Sequence, residues 1–331
     1  MIIGSIKEHN KNETRTALTP DVVKKLTTQG HTILLEKSIG KKSFFFDEEY
    51  ISAGAKFTSI EKIYQNSNII LQILPPQKEL LSSLKAPQII ASNFHQYPIS
   101  SIKTNATILQ LEKIPRTSIA QSIDILSSQH TIRGYASALY ALSQSPIIAP
   151  QLFTASSSIK QANALVIGAS ITGLQASTIF KKNGCKVTIL DTNKDYQELA
   201  HSVGATLAIA KTDNELQDIL SSSNFVLATA QNINYSPKII PHHMLKFLPK
   251  GTIIVDTTPS NIDISNNIEK TSSYYFYRNL YFERLNPITS STLWANNMLN
   301  LITTITTNNS LDLEIDYIKS MIFTQNTKEK Q

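Results

Sequence analysis

Short apolar runs alternate with amphipathic stretches along the first third of the chain, which is the pattern of buried strands separated by helices. The stretch TPDVVKKLTTQG has Thr19 in the N-cap position, Pro20 at the first helical position and Gly30 as its end signal. A shorter helix is predicted for DEEYISAG at 47–54. Because strands alternate with helices, we expect an α/β fold with a mostly parallel sheet. Strands are predicted at 1–6, 31–37, 67–74, 87–94 and 106–114.

The same alternation resumes at Asn163, after a long segment with helical periodicity at 118–145. Such a segment can link two domains. Another amphipathic helix is predicted over 290–307, and the polar tail from Lys319 is expected to fray. Strands of the second unit are predicted in NALVIG, CKVTILD, ATLAIA, NFVLATA, GTIIVDT and YYFYRNLYF.

Composition narrows the class of protein. The 331 residues suggest two domains, 41% of them are hydrophobic, and no run of 18 apolar residues indicates a membrane span. The single cysteine, Cys185, excludes an internal disulfide framework and fits a reducing compartment. The net charge of +6 comes from lysines spread along the chain, which does not indicate a nucleic-acid surface. Arginine is rare in this lysine-rich chain. Because the planar guanidinium group can make paired hydrogen bonds that a lysine cannot, we expect each arginine to bind a specific partner; they are Arg15, Arg116, Arg133, Arg278 and Arg284.

A glycine turn follows the first strand of the second unit. The usual dinucleotide spacing is G-x-G-x-x-G, and here Gly168 and Gly173 are kept while Ser170 replaces the middle glycine. A pyrophosphate would lie against the N-terminus of the next helix, and Asp191 at the end of the next strand would accept the ribose hydroxyls of NAD. Ser170 adds a Cβ and a hydroxyl, so we expect weaker binding rather than none. The alternative is an α/β turn that is merely glycine-rich.

A second polar cluster lies in PRTSIAQSIDILSSQ, where Gln121 follows Arg116 by five positions and Asp124 follows Gln121 by three. An arginine and an amide can donate to carbonyl oxygens of a nicotinamide, while a carboxylate accepts from its carboxamide. Positioning of this kind is most of what hydride transfer asks of a protein. The alternative for Arg116 and Asp124 is a surface ion pair.

These segments resemble the NAD(H)-binding component, the α subunit, of proton-translocating, Re/Si-specific NAD(P) transhydrogenase, whose family shares its fold with alanine dehydrogenase. The arginine-glutamine-aspartate loop is the most specific of them, because alanine dehydrogenases do not carry it. The resemblance implies two Rossmann-like domains with parallel sheets flanking a cleft and linked by long helices, at 1–127 plus 292–331 and at 128–291. It extends to NETRTALTP, EKSIGKKSFFFDEEYISAGAKF, VIGASITGLQAS, KGTIIVDT and SSTLWANN.

The family's site residues carry over by position. The resemblance implies that the nicotinamide end of NAD(H) is held by Arg116, Gln121 and Asp124, with further cofactor contacts at Ser127 and Tyr135. It implies that Gly168, Ser170 and Ile171 face the pyrophosphate, with Gly173 completing the turn. Asp191 and Thr192 would face the adenosine ribose. No metal ligand is expected, since the adjacent His242 and His243 are more simply explained as a helix start.

The same resemblance implies partners and location. Hydride would pass from NADH to NADP(H) on an NADP-binding β subunit, and membrane-embedded subunits would move protons. The chain would be a homodimer, cytoplasmic and peripherally associated with the inner membrane, as in members whose α subunit is split. The region around Trp294 is predicted to pack in the core or at the dimer contact.

Several departures keep two other functions open. Alanine dehydrogenases use a lysine where this chain has Leu74, while His95 and Arg15 fall at two other substrate positions of that family. The segment 204–225 is too short to hold the family's long mobile loop. The family's glycine-containing turn and glycine-rich stretch are replaced at 228–238 and 258–267 by segments without glycine. A diverged, non-catalytic subunit and a stand-alone dehydrogenase of this fold are therefore the alternatives.

Overall fold

The computed structural model describes residues 1–95, 97–99, 104–231, 236–307 and 310–323. It divides into two compact units, Met1–Gln129 with Asn286–Gln331, and His130–Leu285. The unit boundaries fall at 129/130 and 285/286, against the predicted 127/128 and 291/292.

The elements follow the apolar pattern closely. The helices of the described residues are α1 Pro20–Thr28, α2 Asp47–Ser52, α3 Ile60–Asn66, α4 Lys78–Ser83, α5 Ile125–Ser143, α6 Ile171–Lys182, α7 Gln197–Ser202, α8 Asp213–Ser221, α9 Pro287–Ile305 and α10 Asp316–Lys319. The strands are β1 Ile2–Ser5, β2 Thr32–Leu35, β3 Lys56–Phe57, β4 Ile69–Leu71, β5 Ile89–Ser92, β6 Thr107–Gln110, β7 Leu152–Phe153, β8 Ser158–Ile159, β9 Asn163–Ile167, β10 Lys186–Leu190, β11 Thr206–Ala208, β12 Phe225–Ala228, β13 Thr252–Asp256, β14 Ile268–Lys270, β15 Tyr274–Arg278, β16 Thr306–Thr307 and β17 Ser310–Leu311.

The first unit is built on a six-stranded parallel sheet in the order β3-β2-β1-β4-β5-β6. Its central strands β4 and β5 are buried at every residue, which is why they read as continuous apolar runs. Helix α1 buries Val22, Val23 and Leu26, and α9 buries Trp294 in the same core. The packing of Trp294 is thus a core contact of this unit.

The second unit carries a seven-stranded sheet in the order β11-β10-β9-β12-β13-β15-β14. All neighbours are parallel except β14, which runs antiparallel to β15. The strand order reverses between β9 and β12. In open parallel sheets the crevice outside the carboxyl ends of two such strands is where ligands bind.

The structure differs from the sequence predictions in several places. The segment predicted helical at 118–145 is a 3-10 helix at Ser118–Ile123 followed by α5, because Asp124 interrupts it. The tail predicted to fray from Lys319 is anchored at its start: Met321 is buried and Ile322 bridges Leu109. Its last residues, 324–331, lie outside the described residues. The antiparallel hairpin β7–β8 was not predicted. Across the described ranges, no helix is both long and apolar enough to cross a membrane.

Candidate functional site

The predicted glycine turn lies at the strand reversal of the second unit. Gly168 ends β9 with φ +97°, a left-handed conformation that L side chains rarely adopt. A Cβ at Gly168 would lie 3.0 Å from the Ala230 Cα, and one at Gly173 would collide with the Gly168 carbonyl oxygen. Both glycines are therefore required by close backbone approach, as the spacing predicted.

Ser170 is the N-cap of α6, and its side chain is bound to the chain itself. Its Oγ accepts from the Gly173 N–H at 3.2 Å and lies 3.2 Å from the Thr229 Oγ1. The hydroxyl that replaces the middle glycine thus takes one of the N–H groups that would face an anion. The N–H groups of Ile171 and Thr172 have no acceptor within the part of the chain that the structure describes.

Thr229 follows β12 across the crevice from Ser170 and is a residue that sequence reasoning missed. Its Oγ1 lies 2.9 Å from the Ile167 carbonyl oxygen and 3.2 Å from that of Gly168. Its Oγ1 would also lie 2.9 Å from a Cβ at Gly173. Thr229 therefore closes the back of the turn, and no local motif in the sequence points to it, because the contact joins segments about 60 positions apart.

Asp191 holds the turn from the neighbouring strand. Its Oδ2 accepts from the Ala169 N–H at 2.7 Å, and its Oδ1 accepts from the N–H groups of Thr192 and Asn193 at 2.7 and 3.1 Å. A carboxylate has about four lone-pair positions. Asp191 therefore retains acceptor capacity for a ribose hydroxyl while it shapes the loop.

Tyr135 follows Gly134 on α5, and Gly134 packs against the start of α6. A Cβ at Gly134 would collide with the Thr172 carbonyl oxygen and lie 3.0 Å from the Gln175 Cβ. Backbone of α5 thus packs directly on the start of α6. Tyr135, the next residue along α5, is 40% exposed, so it is accessible to a ligand.

The remaining predicted residues lie in the first unit, at the start of α5. Asp124 is buried and caps this helix: Oδ1 accepts from the Ser127 N–H at 3.0 Å, and Oδ2 accepts from the Ser127 Oγ at 2.5 Å. Gln121 is exposed on the preceding 3-10 helix, beside Ile119, which is 74% exposed. The structure brings Asp124 and Ser127 together and leaves Gln121 facing solvent.

Arg116 differs from the other four arginines. It is exposed and makes no hydrogen bond or ion pair with any residue that the structure describes, so the alternative of an ion pair with Asp124 is wrong. The others are held by their own chain, Arg15 by Glu13, Arg133 by Glu283, Arg278 by Asp256 and Arg284 by the Tyr281 ring. Arg116 is therefore available to a ligand.

Arg15, which falls at a substrate position of alanine dehydrogenases, forms an ion pair with Glu13 of its own chain. The Arg15 Nε and Nη2 donate to the two carboxylate oxygens of Glu13 at 2.7 and 2.8 Å, and Nη1 donates to Gln129 Oε1 at 2.8 Å. Both members of the ion pair are buried. The charge of Arg15 is thus balanced without an external carboxylate.

Glu8 lies beside the position where alanine dehydrogenases have a lysine. Its carboxylate oxygens accept from the Ile73 and Leu74 N–H groups at 2.8 and 3.1 Å. Burial, reinforced by the charge of Glu13, raises the pKa of the Glu8 carboxyl to about 8. This acid therefore titrates near neutral pH. His95, the other position considered, is exposed, and its N–H donates to Asn93.

No cluster of three metal-binding side chains occurs among the described residues. His242 and His243 begin a 3-10 helix and are both exposed, as expected for a helix start. Three features remain: a glycine turn, a helix start at which the Ile171 and Thr172 N–H groups have no acceptor among the described residues, and the Asp191 carboxylate. Together they fit the pyrophosphate and ribose of a dinucleotide.

Both halves of the chain match models of a single protein family. Residues 4–133 match "Alanine dehydrogenase/PNT, N-terminal domain" and residues 139–330 match "Alanine dehydrogenase/PNT, C-terminal domain". The chain is 27% identical to an NAD(P) transhydrogenase subunit alpha protein of Rickettsia prowazekii, over 99% of this chain and 96% of that protein. It is 26% identical to an alanine dehydrogenase of Methanococcus maripaludis, over 87% of this chain and 79% of that protein. The crystal structure of transhydrogenase from Sinorhizobium meliloti shares the fold, with a TM-score of 0.89 at 23% identity over 98% of both chains.

Proposed function

Because the chain belongs to the alanine dehydrogenase/PNT family, we propose that it is the NAD(H)-binding α subunit of a proton-translocating NAD(P) transhydrogenase. The observation that carries this proposal is the turn at the β9–β12 reversal, where Gly168, Gly173 and Asp191 have the arrangement of a dinucleotide site. The near-complete coverage of the Rickettsia prowazekii protein supports it.

The cofactor supplies the hydride when it is bound, and the chain supplies binding and orientation. Ile171 and Thr172 would donate N–H groups to the pyrophosphate, while Asp191 and Thr192 would face the adenosine ribose. Arg116 and Gln121 would donate to the nicotinamide carboxamide, with Ser127 and Tyr135 adding contacts. Asp124 would contribute indirectly, by capping the start of α5 through its hydrogen bond from the Ser127 N–H. Arg116 suits this role because no other described group uses its guanidinium.

The partners belong to the same proposal. NADP(H) would be bound by a separate β subunit, and membrane-embedded subunits would couple the reaction to protons. A homodimer is supported by the hairpin β7–β8, whose Phe153 is 77% exposed and whose Leu152 and Ile159 are also exposed. An isolated two-stranded hairpin is marginally stable in water, so a covering surface is expected.

The first experiment is a titration with NADH followed by its fluorescence, then hydride transfer to NADP⁺ in the presence of the NADP-binding subunit. Arg116→Ala should abolish transfer while AMP still binds, and Arg284→Ala serves as the matched control. Absence of NADH binding at millimolar concentration contradicts the proposal. Binding without transfer favours the diverged, non-catalytic subunit, for which the self-capping of Ser170 is the supporting observation.

A stand-alone alanine dehydrogenase is the other candidate, and the Methanococcus maripaludis relative is the reason to test it. Leu74 offers no amine to a keto acid, and the Arg15 fork already binds Glu13. We therefore expect no NADH oxidation with pyruvate and ammonia. Turnover in that assay would favour the dehydrogenase.

A further inference from the structure

One buried amide binds both ends of the segment that follows β12. The Asn261 Nδ2 lies 2.8 Å from the Ala230 carbonyl oxygen, 2.9 Å from Ser236 Oγ and 2.7 Å from the Pro237 carbonyl oxygen. Carbonyl oxygens only accept, so the nitrogen of this amide must face them.

This orientation of the amide leaves its oxygen without a hydrogen bond within the described part of the chain. Asn261 is fully buried, and its Oδ1 has no hydrogen-bond partner among the residues that the structure describes. A buried acceptor left without a donor costs free energy. The donating half of the amide is therefore the half that the fold uses.

Asn261 is itself held by the centre of the unit. Its backbone N–H donates to the Thr258 Oγ1 at 3.1 Å, and that hydroxyl donates to Asp256 Oδ1 at 2.7 Å. Asp256 is fully buried and paired with Arg278 at 3.1 Å. The amide is thus anchored to a buried ion pair at the ends of β13 and β15.

Ala230, whose carbonyl oxygen Asn261 binds, limits the space at the glycine turn. A Cβ at Gly168 would lie 3.0 Å from the Ala230 Cα and 3.1 Å from the Ala230 nitrogen. Among the described residues, Asn261 is the one hydrogen-bond donor to the Ala230 carbonyl. A shift of Ala230 by a few tenths of an ångström would therefore change the space above Gly168.

We propose that Asn261 is a positioning residue of the dinucleotide site, which holds Ala230 against the Gly168 turn and so preserves the room for the pyrophosphate. The inference rests on the proposed function, since it concerns the same site.

The test compares Asn261→Ala and Asn261→Ser with Asn163→Ala. Asn163 is the first residue of β9, at the other end of that strand from the glycine turn, and its Nδ2 donates to the Ser222 carbonyl at 2.8 Å. Asn163→Ala therefore removes an amide-to-carbonyl hydrogen bond of the same unit without touching the turn. NADH and AMP affinities and the melting temperature are measured for each. Asn261→Ser keeps one donor and covers the case in which the alanine variant does not fold.

We expect Asn261→Ala to raise the NADH Kd about tenfold and the AMP Kd less than twofold, with the serine variant intermediate. A general loosening of the unit would weaken both ligands equally. NADH binding at the wild-type Kd by either folded Asn261 variant, or an equal loss from Asn163→Ala, overturns the inference. If the wild-type chain does not bind NADH, the proposed function fails and the inference with it.

Discussion

Replacement of Ser170 tests how the chain binds an anion at its altered glycine turn. In the structure the Ser170 hydroxyl accepts the Gly173 N–H at 3.2 Å, so this N–H can donate to a pyrophosphate oxygen only when the hydroxyl gives way. Ser170→Gly removes both this competitor and the Cβ, while Ser170→Ala removes the hydroxyl alone. The pair of variants therefore separates competition for the N–H group from steric crowding.

The magnitudes follow from the bonds exchanged. A hydrogen bond to a charged acceptor contributes roughly 1.5–3 kcal/mol, against about 1 kcal/mol for a neutral one. Wild type must break the neutral bond to make the charged one, whereas the glycine variant has no such bond to break. The glycine variant is therefore expected to gain about 1 kcal/mol over wild type, which is about fivefold tighter NADH binding. Loss of the cap lowers stability by about 1 kcal/mol in Ser170→Ala and by a few tenths in Ser170→Gly.

The assay is NADH fluorescence titration beside thermal unfolding of the ligand-free variants. We expect the glycine variant to bind most tightly and the alanine variant to bind less tightly than glycine because its Cβ remains. Weaker binding by Ser170→Gly than by wild type would refute the reasoning, since it would mean that the hydroxyl itself contacts the phosphate.

Three further predictions concern other parts of the chain. Gly134→Ala forces a methyl group into the Thr172 carbonyl of α6, so we expect a loss of about 1–3 kcal/mol in the thermal unfolding of that unit, with Leu139→Ala as a mild control on the same helix. The Glu8 carboxyl has its pKa raised from 4.5 to about 8, so the folded state binds the proton more tightly, and stability should fall as pH rises from about 4.5 to 8; Glu8→Gln should lose this slope in melting curves. Phe153→Ser on the hairpin β7–β8 should shift sedimentation towards the monomer, and an unchanged sedimentation coefficient would contradict the proposed dimer contact.

The sequence predicted most of the fold because its strands are buried on both faces. Runs such as those of β4, β9 and β13 are apolar at nearly every position, and Gly168, which follows β9, is a local turn signal. The strands that escaped prediction are short or exposed, as in β7, β8 and β14, where no buried face imposes a pattern. The membership of the alanine dehydrogenase/PNT family, suggested by the motifs, is confirmed.

The site could be predicted only in part, for a different reason. Gly168, Gly173 and Asp191 are recognisable by their spacing within one strand–helix–strand unit. Thr229 and Asn261 act on that turn from segments about 60 and 90 positions away, so their roles exist only once the sheet order is known. The self-capping of Ser170 likewise depended on where its hydroxyl points.

Asp191 links the choice of cofactor to the integrity of the fold. The carboxylate that would repel a 2′-phosphate also accepts hydrogen bonds from the Ala169 and Asn193 N–H groups, so one side chain would have two roles. A substitution of Asp191 intended to admit a 2′-phosphate would therefore also release those backbone N–H groups, and a redesign that exchanges this acid must first supply another partner for them.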